Sequence, residues 1–297
     1  MSTTGRPTRA PSATMGSPRH ALRRSVMMHP SLYLPLARLK RAESMLDGTT
    51  QLVLDGMERS ANTFASIAFQ LAQNGHVKMA HHMHAVAPLI EAAGREVPTL
   101  ITARPAEATI VSAMIRQPRV TARQWLKTYV AFYERLLPFR EAFAIATFVE
   151  VTSDFGAVIR RVNQRFTTSF AEFDHTEANV SAVFALIEER TEGPPFQPSL
   201  NRFVSGFMSL DEYLAVTRTY RGAPTSGTRG GVEHRIGRPS IAREAAKPAM
   251  QQRYHAASLA GLRERAERAY LSFVEPPVEP PVEPSVEPPV EPPGVIT

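Results

Sequence analysis

The chain has 297 residues, 43% of them hydrophobic, which is enough for one large α/β domain or two small ones. It contains no cysteine, and this excludes disulfides, thiolate zinc sites, iron–sulfur clusters and a cysteine nucleophile. Of the +6 net charge, residues 1–41 contribute eight Lys or Arg and no acid, whereas residues 274–297 contribute five Glu and no base. The part between them is therefore only mildly basic, which argues against nucleic acid and is compatible with a polyanionic small molecule.

The basic N-terminal extension, residues 1–41, is predicted to be disordered, because its first 28 residues are rich in Ser, Thr, Pro and Arg without aliphatic periodicity. The same acid-free composition is typical of an organelle transit peptide, and composition does not decide between the two. No apolar run approaches the roughly 18 residues that span a bilayer. The N-terminus also lacks a secretory-type apolar core, so we expect a cytoplasmic protein without a transmembrane segment.

Residues 42–273 alternate predicted strands with predicted helices. The strands are expected at residues 51–57, 76–80, 99–103 and 143–151. The helices are expected at residues 62–73, 85–93, 106–115, 121–141 and 152–168, the last capped by Thr152 or Ser153. This alternation predicts an α/β domain with a central, mainly parallel sheet flanked by helices. The binding crevice of such a sheet lies at the carboxyl ends of its strands.

The C-terminal part is less regular. Residues 169–250 show weak periodicity and contain a glycine-rich stretch, 222–231, that is predicted to be a mobile loop. Residues 251–273 are predicted to form a terminal amphipathic helix. The tail, 274–297, repeats Val-Glu-Pro every four residues and is predicted to be a disordered, extended polyproline-II-like chain. It is either a solvated spacer or a ligand for a proline-recognition module.

The first strand-to-helix turn, residues 58–63, has the sequence ERSANT and is a candidate anion site. Backbone N–H groups at such a turn converge near the positive end of the helix dipole. Arg59 adds a guanidinium that can bind phosphate or sulfate oxygens in a forked geometry. Ser60, Asn62 and Thr63 supply further donors. The common nucleotide motif GxxxxGK[ST] is absent from this turn, which leaves an ATP or GTP kinase or a nucleotidase as the weaker alternative.

Two further groups of polar residues follow predicted strands. Arg104 comes directly after the third strand and Ser112 lies eight residues later, about two helical turns on, so both can reach one ligand group. His81, His82 and His84 follow the second strand, where a histidine is placed to accept a proton from a bound hydroxyl or amine. Their i, i+1, i+3 spacing suits neither a strand face nor a helix face, so no metal site is predicted.

The order of these features resembles that of the sulfotransferase family, in its bacterial form. Residues 58–64, ERSANTF, are similar to the family's 5′-phosphosulfate loop, P-[KR]-S-G-[TN]-T followed by an aromatic residue. The pair Arg104 and Ser112 resembles its 3′-phosphate motif. His82 stands 22 residues before Arg104, close to where cytosolic sulfotransferases place a catalytic histidine. Residues 234–247 loosely resemble the C-terminal phosphate loop.

This resemblance implies a three-layer P-loop-like domain that transfers a sulfuryl group from 3′-phosphoadenosine 5′-phosphosulfate (PAPS) to a hydroxyl or amine, without a metal. Arg59 would contact the bridging and leaving oxygens, and His82 would be the base. The 5′-phosphate would be held by the backbone amides of residues 60–63 with the Ser60 and Thr63 hydroxyls, and Phe64 would stack on or near the adenine. The implied cofactor-binding residues are Arg59, Ser60, Ala61, Asn62, Thr63, Phe64, Arg104, Ser112, Arg235 and Arg238.

The chain also departs from the family pattern. Ala61 stands where the family has glycine, and Glu58 replaces the usual proline and puts a negative charge beside the anion site. These departures favour the alternative of a catalytically inactive sulfotransferase-fold protein that binds a partner through its tails. The acceptor is not specified by the sequence, and its pocket is expected near residues 83–90, 116–140 and 195–230.

Overall fold

The computed structural model describes residues 17–190, 196–218, 220 and 241–275. Several predictions concern residues outside these ranges: the first 16 residues of the basic extension, the glycine-rich stretch 222–231, the two arginines Arg235 and Arg238, and the tail from residue 276 onward.

Four parallel strands form the central sheet of the described part of the chain. They are β1 (Leu52–Gly56), β2 (Met79–His81), β3 (Thr99–Ala103) and β4 (Ala144–Thr147). Their order is β2-β1-β3-β4, and every neighbouring pair is parallel. Strands buried on both faces are expected to be almost continuously apolar, as β1 and β3 are. The α/β fold with a parallel sheet is therefore confirmed.

Helices cover both faces of this sheet. In chain order they are α1 (Pro18–Met27), α2 (Pro30–Arg41), α3 (Asn62–Ala72), α4 (Val86–Gly94), α5 (Ala106–Arg116), α6 (Ala122–Leu136), α7 (Phe148–Ser153), α8 (Phe155–Phe166), α9 (Glu177–Glu189), α10 (Phe196–Val204), α11 (Leu210–Thr217), α12 (Ile241–Tyr254) and α13 (Ala260–Val274). Val53 and Ile101 face a core that contains α4, α5, α6 and α13. Leu54 and Leu100 face a second core with α3, α8, α9 and α10. Because side chains alternate along a strand, one sheet supplies both cores and the domain has three layers.

Two predicted elements end earlier than expected. The strand predicted at 143–151 stops at Thr147, because Thr147 caps α7 in a reciprocal pair with Glu150. The helix predicted at 121–141 leaves the α conformation after Leu136, just before Pro138, whose ring nitrogen carries no N–H. The next helix, α8, is capped by Asp154 and not by Thr152 or Ser153.

The prediction of disorder across residues 1–41 is wrong for residues 18–41, which form α1 and α2. Tertiary packing is the physical reason. The His20 ring packs edge-on against Trp125, with 4.7 Å between the ring centres, and the Ser17 amide donates to the Gln124 side chain. In α2, the Tyr33 hydroxyl donates to the Met83 carbonyl. None of these long-range contacts is visible in local periodicity.

The later part of the chain is more helical than predicted. The region expected to be irregular contains α9, α10, α11 and the start of α12. The terminal helix expected at 251–273 is two helices, α12 and α13, separated by a short 3₁₀ turn at Ala257–Leu259. None of the helices in the described part of the chain is long and apolar enough to cross a bilayer.

Candidate functional site

The candidate residues gather at the carboxyl edge of the sheet. The ERSANT turn follows β1, His81 ends β2 with His82 and His84 just after it, and Arg104 follows β3. Because all the strands are parallel, these three segments emerge on the same side of the domain, where α/β sheets place their ligand crevices.

The turn itself has an unusual backbone. Arg59 and Ala61 have φ of 76° and 75°, in the left-handed region that costs a residue with a Cβ roughly 1–2 kcal/mol. Ala61 is also the N-cap of α3, and its side chain makes no capping hydrogen bond. The cap residue therefore places no side-chain oxygen at the positive end of the α3 dipole. The glycine expected here by the resemblance would adopt this φ without strain.

Two predicted phosphate donors brace the turn from inside. The Ser60 hydroxyl is buried and donates to the Met57 carbonyl at 2.6 Å. The Asn62 amide donates to the same carbonyl at 3.0 Å, and its side-chain oxygen accepts from Thr102 at 2.7 Å. These side chains therefore hold the turn against β3, which differs from the predicted role of hydroxyl and amide donors in the crevice. The backbone amides of the turn and the Thr63 hydroxyl stay as predicted phosphate donors.

Phe64 also differs from its predicted role. Its ring is buried and lies 5.7 Å from Phe184 and 6.3 Å from Phe173, between ring centres. It belongs to the apolar face of α3 that packs on the sheet, so it is not presented to an adenine. Helical periodicity places Phe64 on that face with Ile67 and Ala68.

A cluster of guanidinium groups surrounds the Ser112 hydroxyl. Arg59 Nε donates to Ser112 Oγ at 2.9 Å, and Arg243 Nη2 donates to the same oxygen at 2.8 Å. Arg104 Nη1 donates to the Arg59 carbonyl at 3.1 Å, and its guanidinium lies 4.0 Å from the centre of the Phe148 ring. The predicted residues Arg59, Arg104 and Ser112 are therefore brought together. We call Arg59, Arg104, Arg243 and Ser112 the arginine cluster.

The charges in this cluster repel one another. Burial lowers the pKa of Arg59 to about 9, together with the positive charges of Arg243, Arg116 and Arg104, while Glu58 opposes the effect. Burial and the charge of Arg243 also lower the pKa of Arg104. The protonated side chains are thus held in an environment that disfavours their charge. A bound anion would supply the negative charge that reduces this penalty.

Sequence reasoning missed Arg243. It lies in α12, which packs against α5, the helix that carries Ser112. The resemblance of residues 234–247 to a phosphate loop included Arg243 but directed attention to Arg235 and Arg238. No local pattern marks Arg243, because its place at the site depends on the packing of α12 on α5.

The predicted base, His82, lies beside the first turn of α3. Its Nε2 is 3.0 Å from Thr63 Oγ1, and its Nδ1 is 2.6 Å from His81 Nδ1. His81 continues this chain, with its Nε2 at 2.9 Å from Ser205 Oγ. Arg190 also donates to Thr63 Oγ1, at 3.3 Å. His82 is thus part of a polar chain that ends at the turn.

His84 forms a second group with Asp55, which sequence reasoning did not select. His84 Nδ1 is 3.1 Å from Asp55 Oδ1 and 3.0 Å from the Gly56 carbonyl, so both neighbours require a proton on Nδ1. Asp55 is fully buried, and its Oδ2 accepts from the backbone amides of Met83 and His84 at 2.8 Å. The signal that could have found it is a carboxylate inside the apolar strand LVLDG.

The Asp55 carboxylate sets the proton affinity of His84. Burial lowers the pKa of His84, but the charge of Asp55 and its hydrogen bond raise it by more, with help from Glu58, so the pKa lies above the ordinary value for histidine. With Nδ1 facing Asp55, the neutral ring carries its free lone pair on Nε2. This is the arrangement of a histidine held by a carboxylate for proton transfer.

A small cavity adjoins His84. Its wall is formed by His20, Arg24, Met27, Met57, Glu58, His84, Trp125 and Thr128. Most of these side chains come from α1, α6 and the turn after β1, and two of the three segments expected to form an acceptor pocket contribute to it. Within the described residues, no group of three or more histidine or acidic side chains is arranged to hold a metal ion.

No protein-family model, curated protein or solved structure matches this chain significantly. The resemblance to sulfotransferases therefore depends on the motifs in the sequence and on the geometry described above.

Proposed function

We propose that this chain is a sulfotransferase that moves a sulfuryl group from PAPS to a hydroxyl or amine acceptor. The observation that supports this most directly is the contact between Arg59 and Ser112. These residues come from two separate motifs, 53 positions apart, and their side chains lie 2.9 Å from each other. The resemblance assigns one motif to each end of the same nucleotide.

The arginine cluster suits the charge of such a donor. Arg59, which leads the turn, would face the phosphosulfate, and Arg104, Arg243 and Ser112 would hold the 3′-phosphate. Charge-assisted hydrogen bonds of this kind contribute about 1.5–3 kcal/mol each, so two of them would distinguish the 3′-phosphate from an ordinary ribose hydroxyl. The α3 N-terminus would add backbone amides for the 5′-phosphate.

The transfer needs three functions from the protein. The acceptor oxygen or nitrogen forms a bond to sulfur while the bond from sulfur to the bridging phosphate oxygen breaks, and that oxygen keeps the electron pair. Arg59 neutralises the developing negative charge on the leaving oxygen. A histidine accepts the proton from the acceptor. The third function is to hold the donor and the acceptor in the geometry of the reaction.

Of the two histidines, His84 suits the base role better than the predicted His82. Asp55 fixes the ring of His84, whose side chain also lines the cavity beside Met57 and Trp125. Both nitrogens of the His82 ring lie within hydrogen-bonding distance of neighbouring side chains. We therefore assign the proton transfer to His84, with Asp55 as the residue that positions it.

Ligand-dependent thermal unfolding tests this proposal. The product analogue 3′-phosphoadenosine 5′-phosphate should raise Tm, since a ligand at 100 times its Kd stabilises the folded state by about 2.7 kcal/mol. Adenosine 5′-phosphate, which lacks the 3′-phosphate, should raise Tm less. Mg-ATP should not raise Tm by more than adenosine 5′-phosphate does. A folded protein whose Tm is unchanged by the 3′-phosphorylated nucleotide, or one that prefers Mg-ATP, would refute the assignment.

A second function is favoured by the turn itself. Ala61 adopts a left-handed φ that glycine adopts more easily, and Glu58 adds a carboxylate next to Arg59. Both features suit a sulfotransferase-fold protein that binds the nucleotide without turning it over. A panel of alcohols, phenols, sugars and amines with radiolabelled PAPS separates the two functions. Binding without any labelled product supports the binding protein, and labelled product excludes it.

A further inference from the structure

The N-terminal helices expose a set of leucines to solvent. Leu32, Leu36 and Leu39 in α2 are 56%, 52% and 85% exposed, and Leu22 in α1 is 68% exposed. The spacing of the three leucines in α2, i, i+4 and i+7, places them on one stripe of the helix. We call these three residues the leucine stripe. An exposed stripe of this kind marks a contact surface rather than a packed core.

The opposite side of α2 is anchored, so the stripe cannot turn inward. Tyr33 donates its hydroxyl to the Met83 carbonyl, and Ala37 is buried against the domain. Arg38 forms an ion pair with Glu91 in α4 at 2.6 Å. These contacts fix the rotation of α2 and leave the leucine stripe facing outward.

The charge around the stripe selects its partner. Residues 1–41 carry eight Lys or Arg and no acidic residue. The first acidic residue in the chain, Glu43, pairs with Arg202, and Glu91 pairs with Arg38. A second copy of this chain would bring another basic segment against the first, and the like charges would repel. An anionic surface offers the complementary charge.

We propose that α2 and the basic segment around it dock on an anionic lipid bilayer. The leucine stripe enters the boundary between headgroups and acyl chains, and the positive charge of residues 1–41 attracts the lipid phosphates and carboxylates. An apolar stripe with flanking cations on a helix too short to span the bilayer is the pattern of an interfacial helix. This proposal does not depend on the sulfotransferase assignment, because the leucine stripe belongs neither to the arginine cluster nor to the wall of the cavity.

Co-sedimentation of the full-length protein with vesicles tests the proposal. The protein should bind phosphatidylcholine vesicles that contain phosphatidylserine, and it should bind pure phosphatidylcholine at least about tenfold more weakly because the electrostatic attraction is absent. The triple variant Leu32→Gln, Leu36→Gln and Leu39→Gln should lose about tenfold or more of the binding to anionic vesicles. High salt should also weaken the wild-type binding.

The control is Val149→Gln with Ile241→Gln, which removes two exposed apolar side chains elsewhere on the domain. This variant should bind anionic vesicles as the wild type does. Circular dichroism establishes that each variant is folded, and light scattering after size-exclusion chromatography measures its mass. Equal binding of the triple variant and the wild type would overturn the proposal. So would a wild-type dimer that ignores vesicles and becomes monomeric in the triple variant.

Discussion

At one end of the candidate site Arg59 and Arg243 both donate to the Ser112 hydroxyl, with Arg104 beside them on the Arg59 carbonyl. At the other end a single buried carboxylate, Asp55, is surrounded by donors that satisfy it. Burial and neighbouring positive charges lower the pKa of Arg59 and of Arg104, whereas Asp55 raises the pKa of His84 against the effect of burial. The Asp55 group is thus complete without a ligand and should stabilise the fold. The arginine cluster is unfavourable until an anion arrives, so its residues should matter more for binding than for folding.

The largest expected effect is on the free energy of unfolding and concerns Asp55, whose carboxylate is satisfied by hydrogen bonds. Asp55→Ala should lower the free energy of unfolding by about 3 kcal/mol or more, because it leaves buried backbone amides and the His84 ring without their acceptor. Urea unfolding measures this, and Trp125, the only tryptophan in the chain, reports on it by fluorescence.

The matched control for Asp55 is an acidic residue in an exposed ion pair. Glu134 pairs with Arg265 at 2.6 Å on the surface, and Glu134→Ala should barely change the unfolding curve. If the two alanine variants were equally stable, the distinction between a satisfied buried carboxylate and a surface one would fail.

The second expected effect is on nucleotide binding and concerns the arginine cluster. Arg243→Gln should weaken the binding of 3′-phosphoadenosine 5′-phosphate about tenfold to a hundredfold, from the loss of a charge-assisted hydrogen bond. The stability of the ligand-free protein should change much less, because the substitution also removes repulsion from Arg59 and Arg104. Isothermal titration calorimetry gives Kd, and thermal unfolding gives the stability.

Arg253→Gln provides the comparison on the same helix, since Arg253 is exposed in the last turn of α12. Its affinity for the nucleotide should equal that of the wild type. A loss of stability in Arg243→Gln that matches the loss of affinity would mean that Arg243 is a structural residue, and the contrast between the two ends of the site would disappear.

These two ends also differ in how far the sequence predicted them. Arg59, Arg104 and Ser112 were found because each follows a strand at a fixed offset, and parallel strands bring such offsets to one edge. Arg243 and Asp55 were missed for different reasons. Arg243 reaches the site only through the packing of α12 on α5, which no local pattern encodes. Asp55 was missed, although it is a carboxylate inside an apolar strand, because the amides that it satisfies belong to the loop after β2.

Dependence on contacts outside the local sequence also decides which parts of the fold could be predicted. Strands β1 and β3 could be predicted because buried parallel strands are continuously apolar. The start of α7 could not, because Thr147 and Glu150 fit a strand pattern until their reciprocal cap is considered. Helix α1 was missed because its order depends on Trp125 and Gln124, about a hundred positions away.

The third prediction uses pH and should be smaller. The pKa of His84 is raised in the folded protein, whereas the unfolded value is about 6.5. Stability from the charged His84–Asp55 pair is therefore fully present below about pH 6.5, and it is lost as the pH rises through the folded pKa. The stability difference between the wild type and His84→Gln should shrink over that window. Urea unfolding at several pH values measures it.

His76→Gln is the control for this pH dependence, because His76 is an exposed histidine outside the site. Its stability should follow the wild-type curve at every pH. A His84→Gln curve parallel to that of the wild type would show that Asp55 does not bind the protonated form of His84 preferentially.

The smallest expected effect comes from the strained turn between the two ends. Ala61→Gly relieves a left-handed φ but increases the entropy of the unfolded chain, so the gain in stability should be below about 1 kcal/mol. Ala93→Gly in α4, at an ordinary helical position, should instead destabilise by up to about 1 kcal/mol. Opposite signs in thermal unfolding would show that Ala61 carries backbone strain. If Ala61→Gly also gained sulfuryl-transfer activity that the wild type lacks, the strain would account for an inactive binding protein, whereas equal activity would show that the alanine is tolerated.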